Sequence, residues 1–179
     1  RKRAIESGDW DALRSADVYA LKLKFHKGLF KHLLFGSPFP TFRERLCRDL
    51  NQDPTETIYV LGPKNSPRLD LRTGLIDEEA VLTPGRKCHQ LLDVLLRDFY
   101  RPLRIGGIFS ELFPGERFYV ATSPDRVRQL IRRTRRWIEQ SEVPVAIQER
   151  AGFYSLAIKG EFSFRVPLER DSVDNMGIL

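Results

Sequence analysis

An α+β fold is what this sequence predicts, and three observations predict it. Residues 123–138, SPDRVRQLIRRTRRWI, place apolar side chains at helical steps of three and four. Strand-like runs at 57–61 and 153–158 stand on either side of the helical region. The composition, 41% hydrophobic and 30% charged over 179 residues, suits a folded chain with a real core rather than a disordered one. The order expected is a helical segment over 1–50, then one unit over 55–158, then a C-terminal tail over 159–179. That unit holds a leading antiparallel sheet, a three-helix core and a C-terminal β-hairpin.

The first 50 residues read as helical. Gly8-Asp9-Trp10 marks a turn, after which Leu13, Ala16, Ala20 and Leu23 share a face; Gly28 and Gly36 bracket a short apolar run. Phe42, Leu46 and Leu50 follow Pro40-Thr41 at helical spacing. The Gly-Asp-aromatic turn resembles those of tetratricopeptide-like repeats, over one partial unit where at least three are normally needed. The segment therefore reads as a linker or the end of a helical domain. A breaker cluster, Asn51-Gln52-Asp53-Pro54, closes it, so a chain beginning near Thr55 is expected to fold alone.

From 57 the texture is that of strands: Thr57-Ile58-Tyr59-Val60-Leu61, then Leu69-Asp70-Leu71 and Ala80-Val81-Leu82, separated by Gly/Pro turns. These predict a small antiparallel meander. Cys88, Leu91, Leu92, Leu95, Leu96 and Phe99 then form one helical stripe, and Ile105, Ile108, Phe109 and Leu112 a second. After the basic helix, an alternating run from Pro144 to Gln148, a tight Arg150-Ala151-Gly152 and a returning strand over 153–158 predict a hairpin.

Within the third helix, Val127, Leu130, Ile131, Thr134, Trp137 and Ile138 fall on one face. Arg128, Gln129, Arg132 and Arg136 fall opposite, with Arg126, Arg133 and Arg135 on the flanks. Ser123 is expected as N-cap, with Pro124 at the first helical position and Asp125 complementing the positive helix end. Six arginines with hardly any acid is not the mixed Glu/Lys pattern of an ordinary solvated face. Arginine suits phosphate oxygens and guanine edges. For any single arginine, solvation or an internal ion pair is the competing reading.

The order of short strands, three helices with the third strongly basic, and a hairpin resembles the OmpR/PhoB-type winged helix-turn-helix DNA-binding domain. The resemblance covers about 100 residues, from Thr57 to Ile158. It rests on Leu82-Thr83 near the first helix, on Ser123, Val127 and Ile131 to Ile138 of the third, and on Tyr154 in the hairpin. Thr134 stands where the family has leucine, and Phe153 where it has glycine, one step after Gly152. No phospho-acceptor receiver domain is present in the sequence. The resemblance implies that the third helix enters the major groove and the hairpin serves as a β-wing. Double-stranded DNA is then the partner, with RNA polymerase or an upstream sensor domain as protein partners. Arg128, Gln129, Arg132 and Arg136 are the groove candidates; Arg133 and Arg135 are phosphate candidates, and Arg126 is a further DNA-binding candidate. Arg150 at the wing tip is a minor-groove candidate, and Arg101 and Arg104 could add phosphate contacts.

Charge distribution agrees with a polyanion partner. Basic residues outnumber acids 11 to 6 in 1–50 and 12 to 6 in 86–141, whereas acids lead elsewhere. Enzymatic chemistry finds no constellation: His26 and His32 lack zinc spacing, Cys88-His89 is a lone pair, and there is no P-loop or GxGxxG. No cofactor is expected, and no apolar run approaches the roughly 18 residues of a membrane span. Two distant cysteines, Cys47 and Cys88, fit a reducing cytoplasm. The expected function is that of a cytoplasmic, bacterial-type transcription regulator. The alternative is a winged-helix protein-interaction module that grips an acidic protein partner.

Overall fold

A computed structural model describes residues 2–169. Four helices come first: α1 (Lys2–Ser7), α2 (Trp10–Leu23), α3 (Lys27–Phe35) and α4 (Pro40–Leu50). Their ends follow local chemistry. The Asp9 carboxylate caps α2 by accepting from the Ala12 N–H at 2.9 Å, and His26 Nδ1 caps α3 by accepting from Leu29 at 3.1 Å. Pro40 opens α4, and Asn51, at φ +50°, ends it in the left-handed region. The predicted Gly8-Asp9-Trp10 turn is thus a cap as well as a turn.

Next come β1 (Ile58–Leu61), β2 (Arg68–Asp70), β3 (Leu75–Ile76) and β4 (Glu79–Ala80), then α5 (Lys87–Leu95), β5 (Leu103–Arg104), α6 (Ile105–Leu112) and α7 (Ser123–Gln140). The hairpin β6 (Val145–Arg150) and β7 (Phe153–Ile158) follows, and β8 (Ser163–Pro167) ends the described chain. The fold is a mixed α+β one. The hairpin turns through Ala151 and Gly152, both at positive φ (+51° and +78°), as a two-residue type I′ turn requires.

The expected tail and the expected meander both need correction. Residues 163–167, expected in a tail, form β8 in the middle of a five-stranded sheet ordered β1-β8-β2-β3-β4. That strand pairs antiparallel with β1 (Val60 opposite Arg165) and parallel with β2 (Leu69 opposite Phe164). The physical reason is its alternation: Phe162, Phe164 and Val166 are all essentially buried. In consequence β1 and β2 are not neighbours, and only β2-β3-β4 is an antiparallel meander. The rest of the presumed tail, 170–179, lies outside the described residues.

A second sheet, ordered β5-β7-β6 and fully antiparallel, packs with α5, α6 and α7 around one core. Leu91, Leu92, Ile108, Phe109, Leu112, Val127, Leu130 and Ile131 meet there with Tyr154 of β7 and Phe164 of β8. His89, wholly buried on α5, donates from Nε2 to the Leu71 carbonyl at 2.8 Å and accepts at Nδ1 from Gly85. It therefore anchors α5 to the first sheet.

The helical segment is bolted to this unit rather than hung from it. Its core of Leu13, Leu21, Phe30, Leu33, Leu34 and Phe35 is closed by Tyr100, with Tyr59, Phe99 and Leu168 packed against it. Tyr100 Oη donates to Asp17 at 2.9 Å. Arg14, only 6% exposed, pairs with Asp98 and lies against the rings of Phe39, Phe42 and Tyr100. The Gly36 carbonyl accepts from Phe99 N–H at 3.0 Å, and a Cβ on Gly36 would stand 2.3 Å from the Phe99 ring. Cutting at Thr55 would bare Tyr59, Phe99 and Tyr100 and leave the Asp98 carboxylate without the Arg14 cation. The expectation that a chain beginning there folds alone does not fit this packing.

Candidate nucleic-acid interface

The candidate site is built on α7, an 18-residue helix whose inner face is Ser123, Val127, Leu130, Ile131, Thr134 and Ile138, all buried. Thr134, wholly buried, satisfies its hydroxyl by donating to the Leu130 carbonyl at 3.0 Å, so a polar side chain is tolerated at this core position. Trp137 is half-buried, and its Nε1–H donates to the Val81 carbonyl at 3.2 Å. The N-terminus differs from expectation. Thr122 holds the cap position without a side-chain bond, while the buried Ser123 hydroxyl accepts from the Tyr119 N–H at 2.9 Å. Ser123 therefore fastens the preceding loop instead of the helix's own first turn.

The arginines divide into those with work inside the fold and those without. Arg126 binds both oxygens of Glu116, at 2.5 and 3.3 Å, and lies 4.1 Å from the Phe113 ring centre. This hydrogen bond holds the Glu116 carboxyl below its usual range and pushes the Arg126 guanidinium up. Arg135 donates from Nε and Nη2 to the Ile147 carbonyl at 3.2 and 2.8 Å, tying α7 to β6. These two thus tie α7 to the preceding loop and to β6. Arg128, still exposed, pairs with Asp125 at 3.0 Å. Gln129, Arg132, Arg133 and Arg136 are exposed, with no hydrogen-bonded or ionic partner among the described residues. Together with Arg128 they cover an arc of roughly 140° of the helix surface at 100° per residue.

The hairpin lies beside this helix. Burial, chiefly, pushes the Tyr154 phenol up, reinforced by Glu149, while the cations of Arg128 and Arg135 act in the opposite sense. At the far end of the second sheet, Phe153 of β7 is the register partner of both Arg104 on β5 and Arg150 on β6. Two arginines distant in sequence thus flank one aromatic, about 9–10 Å apart across two strand spacings. Arg104 lies over the Phe153 ring at 4.5 Å, and Arg150 is exposed beside the turn. Arg101 is exposed elsewhere, its backbone N–H donating to Asp98.

Sequence reasoning missed Arg117. It is exposed on the loop between α6 and α7, 5.8 Å from the Tyr119 ring centre. The signal was present in Glu116-Arg117-Phe118-Tyr119, a charged and aromatic run between the two helices. Phe118, Tyr119 and Val120 of this loop are exposed as well.

Among the described residues no His, Cys, Asp or Glu cluster could hold a metal ion, and no helix is long and apolar enough to cross a membrane. No protein-family model matches the sequence, and no curated protein or solved structure matches the chain.

Proposed function

We propose that this chain is a winged helix-turn-helix protein that binds double-stranded DNA as a sequence-specific transcription regulator, with α7 in the major groove and the β6–β7 hairpin as its wing. The observation that carries the reading is the exposed arc of Gln129, Arg132, Arg133 and Arg136, without hydrogen-bonded or ionic partners among the described residues, on a helix whose other face is locked into the core. Arginine can pair bidentately with guanine O6 and N7, and glutamine with adenine N6 and N7. The order α5-β5-α6-α7-β6-β7, with strands arranged β5-β7-β6, supports the winged-helix reading. Arg104 and Arg150, flanking Phe153, supply cations at the wing end of the sheet; Arg101 is a more remote phosphate candidate.

Selection of bound duplexes from a random DNA pool at two salt concentrations tests this. Enrichment of one motif at both concentrations is the expected result; recovery of the unselected pool would argue against it.

A second reading is a module that grips an acidic protein partner. It draws on the exposed Phe118, Tyr119 and Val120 beside the start of α7, which could serve as apolar anchors next to the basic face. It predicts no preference for duplex over heparin at any salt concentration. RNA polymerase or an upstream sensor domain would be candidates for such a contact within a cytoplasmic regulator.

A further inference from the structure

Between the helical segment and the rest of the chain lies a cleft of about 400 Å³, within the range of small-molecule sites. Trp10 and His32 form its helical wall, Ser155 and Leu156 of β7 stand opposite, and Phe99 and Arg101 edge it from the segment after α5. Most of the lining is apolar, with aromatic rings suited to a planar partner. Its charge is not matched in the same way. The Asp98 carboxylate is occupied by Arg14 and by the N–H groups of Tyr100 and Arg101. The exposed Arg101 guanidinium has no carboxylate partner among the described residues. A groove of similar size between α2 and α4 differs, because the Lys22–Asp49 ion pair already joins its two walls.

We propose that this cleft binds a small aromatic carboxylate, with the ring among Trp10, Phe99 and Leu156 and the carboxylate at Arg101. Apolar burial favours the ring, and a charge-assisted pair with Arg101 selects the anion. Such a ligand touches both the helical segment and β7, so binding stabilises their docked arrangement by mass action. The inference stands on this cleft and not on the DNA reading.

Calorimetry on the full chain without DNA tests it, using 1-naphthoate, the uncharged 1-naphthamide and decanoate as probes. Saturable binding of 1-naphthoate is expected, with 1-naphthamide and decanoate each about ten-fold weaker or worse. Arg101→Gln should erase the difference between acid and amide. Ser155→Trp should fill the cleft and abolish binding. Arg101 is exposed, so its replacement leaves both cores intact and that arm stands whatever Ser155→Trp does to folding. No saturable binding, equal binding of the amide, tighter binding of decanoate, or an unchanged acid preference in Arg101→Gln would overturn the proposal.

Discussion

The indole N–H of Trp137 donates to the carbonyl of Val81, joining the last turn of α7 to the residue that follows β4. A helix that presents arginines outward is thereby held from behind by the first sheet. Trp137→Phe, which keeps an aromatic ring of smaller size and removes the donor, should cost about 1–2 kcal/mol. Trp137→Ala should cost about 3 kcal/mol, the low end for a large aromatic truncation because the ring is only half-buried. Urea unfolding measures both. Equal losses in the two variants would mean that the hydrogen bond, and not the packing, carries the contact.

Arg14 and Asp98 face each other with side chains 8% and 7% exposed. Arg14→Met leaves a buried carboxylate without its cation, and should cost about 3–5 kcal/mol. A chain beginning at Thr55 should bind 8-anilinonaphthalene-1-sulfonate strongly, because Tyr59, Phe99 and Tyr100 lose their cover. Cooperative unfolding of that shortened chain without dye binding would show the helical segment to be dispensable after all.

Acid should loosen three surface ties together. The carboxyls of Asp49, Glu56 and Glu116 are each held below their usual range, first by a hydrogen bond from Lys22, Lys31 and Arg126 respectively. A depressed carboxyl stabilises the fold fully above its unfolded value, near 4, and that contribution is lost as pH falls through the lower folded value. The effect is modest, since all three groups are in contact with solvent. Hydrogen exchange at Tyr119–Ser123 should therefore rise below about pH 4, relative to the intrinsic exchange rate, and Glu116→Gln should show the same rise at pH 7. Protection that is flat across this range would mean that Arg126 does not hold the loop.

Much of this was legible in the sequence, and the failures have physical causes. The three helices and the hairpin announce themselves because their apolar residues keep one period over a long stretch, as Val127 to Ile138 do. The strand β8 is hard to read because five residues after a Gly-Glu turn carry little signal, although Phe162, Phe164 and Val166 do alternate. Strand order could not be read at all: nothing local says that β8 inserts between β1 and β2. At the candidate site, helical phase separated inner from outer side chains correctly. It could not reveal that Arg126 and Arg135 are consumed by Glu116 and Ile147, since both partners come from other elements. Nor could it bring Arg104 and Arg150 together across Phe153, which is a matter of sheet register.

Anchors and readers should part company under mutation. Arg135→Gln removes two charge-assisted bonds to one carbonyl and should lower stability by about 1.5–3 kcal/mol. Arg133→Gln should leave thermal unfolding unchanged, because that side chain is exposed and makes no hydrogen bond or ion pair among the described residues. If both variants unfolded alike, the division of α7 into anchors and free arginines would be wrong.

The central claim is tested most directly by duplex affinity of the double variant Arg132→Gln/Arg136→Gln, measured against a salt series with thermal unfolding as control. The account predicts unchanged unfolding with weaker duplex binding. Base-reading side chains should each cost about 1–3 kcal/mol and relax preference at one position. Phosphate contacts should instead weaken all sequences alike and flatten the salt slope by about 0.9 each. Duplex affinity and salt slope both unchanged in the double variant would contradict the account, because the exposed face of α7 would then not be where DNA is held.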